Sequence, residues 1–471
     1  MPKTTSLNSR RKFLKGAGVA GLAGAMFPAK AGANAGTARL RKDKAKNMIF
    51  LVVDGMCNGT MGLAHHWSLR NTSRQLNWTQ LLKRPDLRRS LQDTASNSSP
   101  VTDSAAAASA WGCGQRVNNG ALNTDPAGKA LTPIYTRAKQ AGKRTGLVST
   151  CRISHATPAG FAASVPNRGQ ESEIISQYLS RQIDILLGGG AKHFVGKNKE
   201  DGGTIDFFKQ FEASGYRVAR DSEALNQLPV SNKPILGIFS DSHIPYALDR
   251  KNDKSLAGVP ALTEMFSAAL KHLDGSEEGF LLQVEAGRVD HAGHANDPGA
   301  ILHDLLEFDA CIPIALDYIE KNPDTLLVVT TDHGTGGCQL DGLGSRYVES
   351  GPALDQINQF RYSFEWLEKR FRASKQFSAE TFKLATGIAP TEAQAAAVQA
   401  ALDDSNLNYL TSKIARIFAK ELTATTAVGW TSNNHTSECV DLLAFGPGAE
   451  ELPGFIYNNE LFGIMTDALQ I

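Results

Sequence analysis

Several short runs in this chain carry carboxylates and imidazoles at spacings that could hold a metal ion. The longest is Val284-Glu285-Ala286-Gly287-Arg288-Val289-Asp290-His291-Ala292-Gly293-His294. Asp290 and His294 stand at i and i+4, which places both on one face of a helical turn as a workable pair of zinc ligands. Taken alone, such a pair is also what a solvated helix face offers. Asp54, the adjacent Asp332 and His333, and His435 bring the set to three aspartates and three histidines, enough for two zinc ions. In a regular strand Asp332 and His333 would point to opposite faces. Gly334, Gly336 and Gly337 follow at once and let the chain turn both toward one centre.

A nucleophile is offered by Thr102-Asp103-Ser104, which precedes the alanine run Ala105 to Ala108 and Trp111. Cap-type residues before a strong helix former put Ser104 at or beside a helix N-terminus, where free amides and the positive dipole end favour an anion. By itself this is also an ordinary cap.

The elements that must position these residues follow one grammar. Asn47 to Val53, Arg144 to Thr150, Ile183 to Leu187, Ile235 to Ser240, Phe280 to Val284 and Thr325 to Thr330 read as buried strands. Helical patterns separate them, among them Ile134 to Ala141, Glu171 to Gln182, Thr263 to Leu273 and Pro298 to Asn322. The fold class expected is α/β, a three-layer sandwich with a mostly parallel central sheet covered by helices on both faces. In such sheets ligands bind at the carboxyl ends of the strands. Asp54, His155 with Thr157, Glu285, and Asp332 with His333 all stand at or just after strand ends. The strand grammar stops between about residues 340 and 428, a polar helical insertion expected to cover or flank the site. Candidate helices there are Ser363 to Ser374, Ser378 to Thr386, Thr391 to Asp403 and Tyr409 to Leu422. Val440 to Phe445 resumes the sheet and is expected to run against its neighbours, which would bring His435 to the ligand-bearing edge. Gly188-Gly189-Gly190 lacks the Gly-Lys-Ser/Thr ending of a phosphate loop and reads as a tight turn.

Taken together, Asp54-Gly55-Met56, Thr102-Asp103-Ser104-Ala105-Ala106, His155-Ala156-Thr157-Pro158-Ala159, Arg168, Glu285 through His291, Thr331-Asp332-His333-Gly334 and His435-Thr436 resemble the alkaline phosphatases from about Asn47 to the C-terminus. The resemblance implies one zinc held by Asp290, His294 and His435, and a second held by Asp54, Asp332 and His333 with the Ser104 oxygen. It also implies a magnesium site of Asp54, Thr157 and Glu285, a hard oxygen set that suits that ion. Arg168 would grip the non-bridging oxygens of the substrate phosphate, and Ser104 would form a phosphoserine that water then hydrolyses. His155 and His291 stand where enteric bacterial members carry Asp and Lys, and where animal members carry histidines. They would back the third site or recruit a softer metal, so that ion's identity stays open. Ser437 replaces the glycine that often follows the His-Thr pair. His65, His66, His193, His243, His272 and His303 match no motif and read as structural or surface residues.

The expected activity is hydrolysis of small phosphate monoesters. A sulfatase would need Pro and Arg soon after the nucleophile, where this chain has alanines. A diesterase of the same superfamily and a non-catalytic metal- or phosphate-binding protein are the alternatives. The family also suggests a homodimer.

The 471-residue chain carries a formal charge of +1, and its first 35 residues hold six basic and no acidic side chains, so the remainder carries −5. Neither nucleic acid nor an anionic membrane is implied as a partner. Ser9-Arg10-Arg11-Lys12-Phe13, the apolar run to Phe27 and Ala33-Asn34-Ala35 resemble a twin-arginine export signal. Residues 1–35 are accordingly expected to be removed by the export machinery's pathway, 36–46 to be a basic leader, and 47–471 to form the catalytic domain in the periplasm or outside the cell, with no stable membrane insertion. Six cysteines without a Cys-x-x-Cys spacing read mostly as buried thiols.

Overall fold

Asn47 to Val53 is buried along its whole length, and its side chains alternate between two apolar clusters. Ile49, Leu51 and Val53 join one, Met48, Phe50 and Val52 the other. A strand covered on both faces has no solvent side to mark with polar residues, hence the unbroken apolar run. The computed structural model describes residues 44–197, 203–407 and 409–471. The expected export signal and all but the end of the basic leader lie outside the described residues.

The main sheet has ten strands: β1 Asn47–Val53, β2 Arg88–Asp93, β3 Arg144–Arg152, β4 Ile185–Gly189, β5 Arg217–Ala219, β6 Ile235–Ile238, β7 Phe280–Ala286, β8 Thr325–Thr331, β9 Val440–Phe445 and β10 Phe455–Tyr457. Their spatial order is β10-β2-β9-β8-β1-β7-β3-β4-β6-β5. Only β9 runs against the rest, antiparallel to both β8 and β2, as its expected role required. Helices cover both faces, so the fold is the expected three-layer α/β sandwich.

Three strands were not legible. β2 turns Ser90 and Gln92 inward while Leu91 is 45% exposed. Burial of Gln92 is made tolerable by a hydrogen bond that its Oε1 accepts from Trp111 Nε1 at 2.9 Å. The pattern is therefore the inverse of an apolar-in strand. β5 and β10 are three residues each, too short for a period.

The helix expected from Pro298 to Asn322 is two helices, Pro298–Asp309 and Cys311–Lys321. Pro313 cannot donate to the carbonyl of Asp309, and that carbonyl accepts from Asn77 Nδ2 at 3.0 Å instead. Between the short antiparallel pair formed by Gln339–Leu340 and Val428–Gly429, the chain leaves the sheet. Helices Phe364–Ser374, Ala379–Thr386, Glu392–Asp403, Leu410–Ile417 and Ala419–Thr426 pack there around their own cluster, which includes Phe364, Phe371, Phe382, Ile414 and Phe418. Ser363, Ser378 and Thr391 cap the first three with their side chains.

Candidate active site

Ser104 opens helix α1, Ser104–Cys113, but the cap itself is Asp103, whose carboxylate accepts from Ala106 N at 3.0 Å. Ser104 is 2% exposed. The alanines around it have a packing reason. Helix α2, Ala156–Ala162, lies so close to α1 that a Cβ at Gly112 would fall 1.9 Å from the Gly160 carbonyl oxygen.

Helix α3, Arg288–Ala295, starts two residues beyond β7 and presents Asp290 and His294 together. Asp290 Oδ1 lies 3.4 Å from His294 Nε2 and 3.5 Å from His435 Nε2, and the two Nε2 atoms are 3.0 Å apart. Ligands about 2.0–2.1 Å from a tetrahedral ion stand roughly 3.3 Å from one another. The triangle has those dimensions. His294 Nδ1 donates to the Asn433 carbonyl at 2.6 Å and His435 Nδ1 to the Thr102 carbonyl at 2.8 Å, which leaves both Nε2 lone pairs directed inward. Burial, then His333, pushes the pKa of His435 down to about 4, so it is neutral near pH 7. A cation among the three atoms reconciles facing lone pairs with a carboxylate oxygen.

The second cluster adjoins it. His333 Nε2 lies 3.1 Å from Asp332 Oδ2, 3.6 Å from Asp54 Oδ1 and 3.4 Å from Ser104 Oγ. Asp54 Oδ1 and Asp332 Oδ2 are fully buried yet receive no well-aligned hydrogen bond. Both Asp332 and His333 do turn to one centre. Asp332 Oδ1 is anchored by Gly55 N at 3.0 Å and His333 N at 2.9 Å. Gly334–Thr335 then pairs with His435–Thr436, and this two-residue ladder carries His435 to the site. Gly55 has φ +77°, and a Cβ there would sit 2.6 Å from Asp290 Cα. Both constraints admit only glycine without strain.

A third set gathers beside Asp54. Thr157 Oγ1 lies 3.4 Å from Asp54 Oδ2, and Ser149 Oγ donates to the Glu285 carboxylate. Arg168 reaches over the same region, with Nη1 3.0 Å from Asp103 Oδ2 and Nη2 3.0 Å from His155 Nε2. Burial, with Asp332 and Asp290 nearby, raises the Asp54 pKa well above the carboxylate range, and burial pushes Glu285 up to about 7. Burial also acts to raise Asp290, but His294, His435 and His333 outweigh it and hold that carboxylate low. Four buried carboxylates in one place call for cations.

Of these residues Ser104, His155, Arg168, Asp290 and His294 line a cavity of about 750 Å³. Its far wall includes Glu365, Glu368, Tyr409, Thr411 and Ser412, so the helical segment does flank the site. Sequence reasoning missed Asp103 and Asn433, the carbonyl of Thr102, and Thr335, whose hydroxyl donates to Asp290 Oδ1 at 2.6 Å and lies 3.3 Å from His333 Nδ1. It also misplaced His243. That residue lines the cavity, its ring centred 4.3 Å from that of His291 and 5.4 Å from that of His155. His243 follows the carboxyl end of β6 by five residues, and the strand-end rule applied to the others would have found it.

A buried serine at a helix N-terminus, two adjoining donor clusters and an arginine above them define a metal-binding hydrolase site. The comparisons agree. A family model described as alkaline phosphatase matches residues 45–471. Alkaline phosphatase 3 of Bacillus subtilis is 31% identical over 443 residues, 91% of this chain and 90% of that protein. The crystal structure of Thermus thermophilus alkaline phosphatase superposes with a TM-score of 0.83 at 36% identity, covering 91% of this chain and 92% of that one. A cold-active alkaline phosphatase from a psychrophilic Shewanella gives 0.75 at 26% identity, over 90% and 99%. The chain belongs to the alkaline phosphatase family and is a phosphoric monoester hydrolase.

Proposed function

We propose that the chain hydrolyses small phosphate monoesters through a phosphoserine on Ser104. The observation that carries this is Ser104 Oγ lying 3.4 Å from His333 Nε2 at the N-terminus of α1, between the donor clusters and Arg168. Asp290, His294 and His435 would hold one zinc ion, and Asp54, Asp332 and His333 with Ser104 a second. Asp54, Thr157 and Glu285 would contribute to a third divalent-cation site, the position to which the family's pattern assigns magnesium. Such ions supply electrophilic stabilisation of anionic oxygens and lower the pKa of hydroxyl and water.

The chain's own groups do the rest. Arg168 binds two non-bridging phosphate oxygens, and the amides opening α1 add to the anion site. Ser104 Oγ gives up its proton and attacks phosphorus as the ester P–O bond breaks, and the leaving alcohol takes up a proton. Water then attacks the phosphoserine, the Oγ–P bond breaks, and inorganic phosphate leaves. With Nδ1 of His294, His333 and His435 facing Asn433, Thr335 and Thr102, the Nε2 atoms of all three are turned toward the donor clusters.

Ser104→Ala decides the matter. Monoester turnover should fall by several orders of magnitude, and acid-quenched enzyme should carry no phosphate on serine. Unchanged turnover would refute the assignment. Residues 1–35 support export by the twin-arginine machinery to the periplasm or beyond it, with 47–471 as the catalytic domain of a homodimer. Among the described residues no helix is long and apolar enough to cross a membrane.

A further inference from the structure

Cys151 is the penultimate residue of β3 and is fully buried. Its Sγ, a ring nitrogen of His155 and a carboxylate oxygen of Glu285 all lie within 4.8 Å of one another. Two of these partners hold unsatisfied polar atoms. Glu285 Oε1 is buried with no donor, because Ser149 engages the other oxygen, and His155 Nδ1 is buried without a partner, because Arg168 faces Nε2. Both residues are at least nine-tenths buried. Leaving such groups unpaired destabilises a native fold unless something occupies the space between them.

The backbone keeps that space open. A Cβ at Gly287 would fall 2.6 Å from Cys151 Sγ and 2.7 Å from Glu285 Oε1, so the absent side chain leaves room for the sulfur and the orphaned oxygen to face one another. Behind them His291 Nδ1 lies 3.7 Å from the same sulfur, and the His291 and His243 rings line the cavity through which an ion could enter.

We propose that Cys151 is a thiolate ligand of the third divalent cation, held with His155 and Glu285, and that this ion is zinc-like rather than magnesium. The inference rests on the proposed function and names the ion class at its third site. A sulfur, nitrogen and oxygen set selects a borderline-soft ion, whereas magnesium takes oxygen ligands and keeps several waters. Binding converts the Cys151 thiol to thiolate, and its proton passes to solvent.

The test is the cobalt(II)-substituted full-length protein. A thiolate-to-cobalt charge-transfer absorption in the near ultraviolet is expected, and Cys151→Ser should abolish it and lower tightly bound metal by one ion per chain. Cys439→Ser, at an exposed thiol, should leave both unchanged. Should C151S fold poorly, X-ray absorption at the zinc edge of the wild-type protein must still show a sulfur shell near about 2.3 Å. A sulfur-free edge spectrum, no charge-transfer band, or a band that survives in C151S overturns the proposal. None of those results touches the phosphoserine chemistry, which the Ser104→Ala experiment decides separately.

Discussion

Arg168 Nη1 donates to Asp103 Oδ2 at 3.0 Å, while the other oxygen of the same carboxylate caps α1 through Ala106 N. One aspartate thus fixes both the helix that carries Ser104 and the guanidinium proposed to receive the phosphate. Asp103→Ser should retain capping and lose the arginine's anchor, raising KM for monoesters about 10-fold with little change in Tm. Asp103→Ala should show the same KM and lose about 1 kcal/mol besides. Steady-state kinetics and thermal denaturation separate the two roles.

Arg168→Lys replaces a planar fork by a point charge and would lose the paired contact with two phosphate oxygens proposed for it. A loss of 10- to 100-fold in kcat/KM for monoesters is expected, about 1.4–2.8 kcal/mol, with a smaller loss for diesters, which present less charge. Wild-type enzyme should favour the monoester. A large preference for a diester would point to the other chemistry of the superfamily.

Thr335 holds Asp290 and His333 together without belonging to either donor set. Thr335→Val removes both hydrogen bonds at nearly constant volume, and zinc affinity measured by competition with a chelator should weaken about 10- to 100-fold. Added zinc should restore turnover.

In metal-free protein the contribution of Asp54 and Glu285 to stability should fall as pH rises. Asp54 and Glu285 have folded-state pKa values above their unfolded ones, Glu285 at about 7, chiefly through burial. The folded state therefore binds more protons between the two pKa values. The stabilisation is full below the unfolded carboxylate range and is lost as pH passes upward through the folded value. Histidines held low, such as His435 at about 4, titrate with the opposite sign, so the carboxylate contribution is read as a difference: the Tm of chelated wild type relative to chelated Glu285→Gln should fall from about pH 5 to pH 8.

Arg288 is fully buried, lies over the Tyr246 ring at 3.9 Å and pairs with Glu365 of the helical segment. Glu365→Ala leaves that guanidinium buried without its partner and should cost about 3–5 kcal/mol. Denaturant melts would measure it. Arg288→Met should cost less, since it removes the charge as well.

Much of this was legible in one dimension. Mostly apolar runs announced β1, β3, β7 and β8, because strands covered on both faces need no polar alternation. Ligand residues stood at the ends of those runs, and Asp290 and His294 could be paired because helical geometry puts i and i+4 on one face. The polar-inward β2 and the three-residue edge strands left no such trace, nor did the role of Asn77 in taking the Asp309 carbonyl that Pro313 leaves free.

By itself, then, the amino-acid order determined which residue types could bind metal and phosphate, and that Ser104 sat at a helix start, since local spacing and propensity decide those things. The tertiary structure alone decided how they meet. Asp54 reaches Asp332 across neighbouring parallel strands, and His435 arrives through a two-residue ladder with Thr335. Cys151 and His243 join the site through the side-by-side packing of β3, β4 and β6. Contacts between residues a hundred or more positions apart are set by which strands pair and in what order, and no local pattern encodes that.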